Sequence, residues 1–228
     1  QAEDEVIVRL ESSGGMVHAY GLAAAQLARI KEAGLHLTVC IDKVAASGGY
    51  MMACVADKIL AAPFAVVGSI GVVAQVPNFH DLLEKHDIDV EVFTAGKYKR
   101  TVTVFGENTE EDKQKFQQEL EETHKLFKDF VRKYRPSLDV EQVATGEHWY
   151  GEDAITRNLV DALQTSDSYI LEKMTNSELY AIQSRQKPTI AQKLGISQAA
   201  QAVVATAIDK LPDALAKLES AKMPMVKK

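Results

Sequence analysis

Ser47 stands in the run Val-Ala-Ala-Ser-Gly-Gly-Tyr-Met-Met. Val39 to Ile41 read as the end of an apolar strand and Met51 to Ala56 as the start of a helix, so the hydroxyl falls where a strand gives way to a helix. The two residues after it carry no side chain. A serine there lies beside backbone N–H groups that have no intrahelical partner. That gives a nucleophile an open approach for a substrate carbonyl and donors for the negative charge that develops on it. The same residues also suit a plain helix N-cap. A second pair, Gly14-Gly15, strengthens the chemical reading because it too lies between a strand (Val6 to Leu10) and a helix (Ala19 to Ala33). In a parallel sheet both turns fall on the edge where ligands bind. Gly48 then supplies one oxyanion donor and Gly14 or Gly15 the other; losing one such donor raises a barrier by about 2.7–4 kcal/mol.

A serine nucleophile needs a base. His18, His36, His80, His86, His124 and His148 form no compact motif with an acid. His124 reads as solvent-facing on a long helix, and His148 sits in a loop, Gly-Glu-His-Trp-Tyr. A triad of residues distant in sequence stays open. The other option is a lysine from Gly96-Lys97-Tyr98-Lys99-Arg100, which follows a strand-like Val90 to Thr94. A lysine works as a base only when neutral, which requires lowering a pKa of about 10.4 to near 7–8 by desolvation or neighbouring positive charge. A basic cluster of this kind also suits a solvated surface loop.

The elements that must position these groups alternate. Strand, glycine loop, alanine-rich helix closed by Gly34 and strand (Leu35 to Ile41) make a right-handed βαβ crossover and hence a parallel sheet. Lys58 to Ala61 and Val66 to Val73 read as further strands, and Asp81 to Lys85 as a helical turn. Thr109, with Asp112 three residues on, opens a long helix bearing Phe116, Leu120, Phe127, Phe130, Val131 and Tyr134, which Pro136 ends. Val140 to Ala144 and Glu152 to Asn158 suggest short helices, and Leu159 to Leu163 a last strand or turn. From residue 177 onward Gln, Ala, Lys and Ser dominate, and Ala199 to Leu218 suits an amphipathic helix interrupted at Pro212. The expected division is a catalytic domain over 1–176 and a helical or flexible tail over 177–228.

Composition sets bounds. The 228 residues, 46% hydrophobic and 25% charged, are an ordinary globular mix, and a net charge of −6 without a basic stripe argues against nucleic acid as partner. The most apolar stretch, Ile59 to Gly71, is too short to span a bilayer and is broken by Pro63. Cys40 and Cys54 make no disulfide framework and no metal spacing is present, so neither metal nor cofactor is expected. The chain starts on Gln1 with strand-like sequence by Val6, which reads as an N-terminal truncation.

The ordered blocks RLESSGGMVHAYG, DKVAASGGYMMACVADKI, VGSIGVV, TAGKYKRTVT, GENTEED and ATGEHWYG resemble the SppA/SohB family of bacterial signal-peptide-peptidase-like serine peptidases, the SohB branch above all. The resemblance spans Val6 to about Ser166. It implies an α/β fold of the ClpP/crotonase type, a spiral of ββα units, here with a helical C-terminal extension, and a Ser-Lys dyad. By motif, Ser47 is the nucleophile and Lys99 the general base. Ser69, in VGSIG, orients the lysine amine, and Gly48 with Gly14 and Gly15 forms the oxyanion hole. Lys97 follows Gly96 directly and does not match the spacing. The family implies a peptide substrate such as a signal peptide or another unfolded segment, and homo-oligomeric rings in which a neighbouring subunit can supply the lysine. It also implies an N-terminal anchor, absent from this stretch, that holds a periplasmic domain at the bacterial inner membrane. Where the family usually has Ser-Pro-Gly-Gly, this chain has Ser12-Ser13-Gly14-Gly15. Without proline's fixed φ the resemblance implies a less preorganised hole and reduced activity. Two readings of other classes remain: a crotonase-type acyl-CoA enzyme, which shares the hole and needs no nucleophile, and a non-catalytic assembly protein on a peptidase fold.

Overall fold

The computed structural model describes residues 4–183; the tail helix expected over Ala199 to Leu218 lies outside them. The compact unit that carries the site runs to Ser177. Strand β1 (Glu5–Arg9), helix α1 (Val17–Glu32) and strand β2 (His36–Ile41) form the expected crossover, with β1 and β2 parallel and in register from Glu5 opposite His36. Beyond β2 the chain makes a second short strand, β3 (Val44–Ala46), before helix α2 (Gly48–Ala53). The pattern repeats as β4 (Lys58–Ala61) and β5 (Val66–Gly68). After a long excursion come α3 (His80–Glu84), α4 (Glu110–Tyr134), α5 (Val140–Val143), β6 (His148–Tyr150), α6 (Gly151–Thr156), β7 (Ala162–Leu163) and α7 (Ser166–Lys173).

The strands fall into two sheets. One is wholly parallel in the order β1-β2-β4-β7; the other runs β3-β5-β6, with β3 and β5 parallel and β6 antiparallel. Ser12, just past β1, bridges in parallel to Ala45 and so extends the smaller sheet. Each turn of the chain therefore gives one strand to each sheet before its helix. That is the repeating ββα unit of a ClpP-like spiral. The larger sheet is covered on its faces, and its central strands read as continuous apolar runs: Leu37, Val39, Cys40 and Ile41 in β2, Ile59 to Ala61 in β4.

Helix α2 is only six residues long and almost wholly buried. It packs on α1 through small residues, with Ala24 and Ala28 buried on the facing helix. Its Tyr50 donates to the carbonyl of Leu159 at 2.9 Å, so the phenol satisfies its hydrogen bond in the interior. Burial pushes the Cys40 thiol up to about 11 and Cys54 to about 12, and both behave as small apolar residues. The capping box of α4 forms as expected, with Asp112 N–H donating to the Thr109 hydroxyl at 3.2 Å and Thr109 N–H to the Asp112 carboxylate at 3.1 Å. Past its C-terminus, Arg135 makes two bonds to Asp161, at 2.9 and 2.7 Å, and Asp161 also accepts Ile59 N–H at 2.7 Å, which joins α4 to β4.

Three expectations are corrected. Val90 to Thr94 forms no strand: it pairs with no strand among the described residues, and the segment is exposed. The strand expected over Val66 to Val73 stops at Gly68, where φ turns to +106°. His124 is half-buried rather than solvent-facing, and its Nε2 is enclosed.

Glu5 gives the fold an acid-sensitive joint. Its carboxylate, 15% exposed, accepts from the Thr38 hydroxyl and, at 2.6 Å, from the Tyr169 hydroxyl, and pairs with Lys173 at 2.7 Å. Burial opposes ionisation there, but the bonds from Lys173, Thr38 and Tyr169 outweigh it and hold the pKa below 4.5. Asp42 is likewise held below 3.8: burial opposes, and the bonds from Ser166 N–H and hydroxyl prevail. A carboxyl with a depressed folded pKa contributes stability above its unfolded pKa, and that contribution is lost as pH falls through the folded value. Thermal melts from about pH 7 to about pH 2.5 are therefore expected to show Tm falling once pH drops below about 4.5. Glu5→Gln is expected to lower Tm at neutral pH and flatten that fall; an unchanged acid slope would remove Glu5 from the account.

Candidate active site

Three chain segments run side by side along the smaller sheet and end together. The first, at Ser12, passes into Gly14-Gly15. The second, β3, passes into Ser47-Gly48, and the third, β5, into Gly68-Ser69. The expected meeting of two glycine turns at one edge is present. The strand leading to Ser47, however, is β3 and not the longer β2. The register pairs Ala46 with Gly68, and Ser47 N–H donates to the Gly68 carbonyl at 2.8 Å. Ser47 and Ser69 are thus the next residues along two adjacent strands.

Both serines are held at positive φ, Ser47 at 52° and Ser69 at 51°. A non-glycine residue in that region costs on the order of 1–3 kcal/mol and persists only where the surroundings enforce it. For Ser47 the enforcement is visible: its N–H is tied to Gly68, its carbonyl accepts Met51 N–H at 3.0 Å, and α2 starts at the very next residue. The result is a sharp strand-to-helix turn with the serine at its apex. The Ser47 side chain caps nothing, and its hydroxyl has no hydrogen-bond partner among the described residues. Ser69 N–H donates to the Glu147 carbonyl at 2.6 Å, which fixes the third turn.

Gly14 lies directly against the Ser47 turn. A Cβ built on it would be 2.8 Å from Gly48 N, 2.8 Å from the Ser47 Cβ and 2.9 Å from the Ala46 carbonyl oxygen. Its own φ is +96°. Gly14 N–H donates to the Ser12 hydroxyl at 3.2 Å. The amides of Gly15 and Gly48 have no partner among the described residues. A partly exposed hydroxyl on a strained turn and unpaired amides on two apposed glycine loops form an arrangement suited to acyl transfer.

Neither Lys97 nor Lys99 is hydrogen-bonded to Ser47 or Ser69. Lys97 pairs with Glu111 at 2.7 Å and lies over the Tyr98 ring, and the Glu111 bond raises its pKa above the ordinary lysine value, so it is held as an ammonium. Lys99 is exposed on the excursion between β5 and α4 and makes no hydrogen bond to Ser47 or Ser69. His148 is in β6 opposite Gly68, so β5 stands between it and β3; two strand spacings are about 9.6 Å. No cluster of metal-ligating residues occurs among the described residues.

Sequence reading did not single out Tyr20 or the Ser12 hydroxyl, which lie at the foot of the glycine loops.

Comparison with known proteins gives the family. The model of peptidase family S49 matches residues 29–180 and that of the S49 N-terminal region residues 1–27. The chain belongs to peptidase family S49. It is 65% identical over 195 residues to "Probable protease SohB" of Haemophilus influenzae, covering 86% of this chain and 55% of that protein. It is 59% identical over 180 residues to the protein of the same name in Buchnera aphidicola subsp. Acyrthosiphon pisum, covering 79% and 54%. A third, from Buchnera aphidicola subsp. Schlechtendalia chinensis, is 58% identical over 170 residues, covering 75% and 56%. The chain spans about half the length of these curated relatives.

Proposed function

We propose that this protein is a serine endopeptidase in which Ser47 attacks the peptide and Lys99 is the base. The observation that carries the reading is the Ser47 turn: a strained serine with an unengaged hydroxyl, pressed against Gly14 beside the free Gly48 amide. The Ser47 oxygen bonds to the scissile carbonyl carbon while its proton passes to the Lys99 amine. The oxyanion is held by Gly48 N–H and an N–H of the Gly14-Gly15 loop. The carbon–nitrogen bond then breaks, the leaving amine takes the proton from Lys99, and water hydrolyses the acyl-enzyme by the same route. Ser69, on the strand beside Ser47, orients the incoming amine.

Lys99 reaches this site from a second copy of the chain. The support is the excursion that bears it. Val73, Phe93, Tyr98 and Phe105 are all exposed along a stretch that finds no core in its own chain, and an apolar surface of that extent is what a subunit contact covers. Contact would also strip water from the amine, the condition for a neutral lysine. The substrate is an unfolded segment such as a released signal peptide, bound extended. Small or apolar side chains suit the site, and Met16 and Val17, which follow the Gly14-Gly15 loop, are exposed. By the family resemblance, the setting is the periplasmic face of the bacterial inner membrane. Among the described residues no helix is long and apolar enough to cross a membrane.

A fluorophosphonate tests the reading. The Ser47 oxygen is expected to displace fluoride and leave a covalent adduct, located by peptide mass spectrometry and absent from Ser47→Ala. An unlabelled, assembled protein that instead binds a CoA thioester saturably would replace the peptidase with a crotonase-type enzyme. One that is inert to both would leave a scaffold.

A further inference from the structure

We infer that Tyr20 is the positioning residue that sets the oxyanion hole, an inference resting on the peptidase reading above. Three contacts converge on this one side chain in the first turns of α1. The ring lies under both glycine loops. A Cβ on Gly15 would be 2.8 Å from its Cε2, and a Cβ on Gly48 would overlap its Cγ and be 2.8 Å from Cδ1. The two residues whose amides are free therefore rest against the same ring. The hydroxyl is hydrogen-bonded to the Ser12 hydroxyl at 2.7 Å, and Ser12 accepts Gly14 N–H.

Ser12 is itself pinned to the nucleophile's strand. Its N–H donates to the Val44 carbonyl at 2.9 Å, its carbonyl accepts Ala46 N–H at 3.0 Å, and a Cβ on Gly49 would overlap that carbonyl oxygen. The chain of contact runs from Tyr20 through Ser12 to the Gly14 peptide, with the other end fixed one residue before Ser47. This matters because Ser13 occupies the position between Ser12 and Gly14, is exposed, and leaves the loop's φ unconstrained. The stiffness that a proline would give covalently is supplied here by a side-chain clamp. Local hydrogen bonds of a serine to a backbone N–H two residues on are weak alone; Tyr20 holds this one in a single geometry. The hole is thereby set before substrate arrives, which is the condition for charge stabilisation without reorganisation.

Tyr20→Phe removes only the hydroxyl and keeps the ring under the glycines. In the full assembled protein it is expected to lower kcat about tenfold, the range for one lost hydrogen bond, with KM within about twofold. Affinity for a peptide aldehyde, whose carbon is bonded by the Ser47 oxygen to give a hemiacetal in the hole, should fall by the same factor. Affinity for the matching peptide alcohol, which forms no such adduct, should be unchanged. Ser12→Ala should reproduce these losses, and Tyr20→Phe added to it should do nothing more. Ser12→Ala also decides the matter if Tyr20→Phe does not fold. Wild-type kcat in the single variants, equal loss for aldehyde and alcohol, or losses that multiply would overturn the positioning role. Wild-type protein that forms no fluorophosphonate adduct at Ser47 would overturn the peptidase reading and this inference with it. Wild-type protein that labels while Tyr20→Phe behaves identically would overturn this inference alone.

Discussion

Ser47→Ala and Lys99→Ala are each expected to lower kcat/KM on a fluorogenic peptide by at least about a thousandfold, because removing either member of a nucleophile–base unit disables the whole unit. The informative result lies in their mixture. The isolated chain leaves the Ser47 hydroxyl without a partner among the described residues, while Lys99 stands exposed on an apolar excursion. If each site takes its serine from one subunit and its lysine from the next, an assembly of Ser47→Ala and Lys99→Ala chains contains some sites with both groups intact. Equal co-expression gives roughly a quarter of the sites a wild-type serine facing a wild-type lysine, and so roughly a quarter of wild-type activity from two inactive parents. A dyad closed within one chain gives none. Activity of either single variant at the wild-type level would remove that residue from the mechanism. Lys97→Ala is the comparison: its ammonium is held by Glu111, and its loss is expected to leave turnover within about threefold.

What could be read from the residues depended on how local the determinants were. The Ser47 turn was legible because serine followed by two glycines, between apolar strand and helix, is a short-range pattern. The α4 cap was legible for the same reason: Thr109 and Asp112 are three residues apart and need nothing else. Strand β3 was not legible, since Val-Ala-Ala has little strand preference and exists only because Ser12 and β5 pair with it on either side. Val90 to Thr94 erred the other way: Val-Glu-Val-Phe-Thr is rich in strand formers, yet no strand among the described residues pairs with it. β6 was read as a loop because three residues ending at Tyr150 become a strand only against β5. Tyr20 was invisible as a functional residue because an aromatic at the start of an alanine-rich helix reads as core. Its role depends on Gly48, twenty-eight positions away, lying on its ring. The order of the motif blocks gave the family and the residue types. The placement of Lys99 relative to Ser47 was beyond reach, because no local pattern links positions fifty-two residues apart.

Gly14→Ala is expected to be nearly as damaging as loss of the nucleophile, and the reason separates backbone strain from site geometry. At φ +96° an alanine is strained by about 1–2 kcal/mol wherever it stands. Gly34, at φ +80°, has the same requirement, but a Cβ there would meet nothing within 4 Å. At Gly14 the methyl would lie 2.8 Å from Gly48 N and from the Ser47 Cβ. An oxyanion must approach Gly48 N to about 2.7–3.1 Å, so the methyl would occupy the approach itself. The alternative is that the loop withdraws, which carries the Gly14-Gly15 amides away from Ser47 and breaks the Ser12 clamp. Both routes remove at least one donor, and kcat/KM should fall by about a hundredfold to a thousandfold or more. Gly34→Ala should lower Tm by a comparable backbone amount and leave kcat/KM within about twofold. Turnover falling equally in the two variants would mean that global stability, not the apposition of Gly14 and Gly48, governs activity. A Gly14→Ala protein with wild-type turnover would place the oxyanion somewhere other than between these two turns.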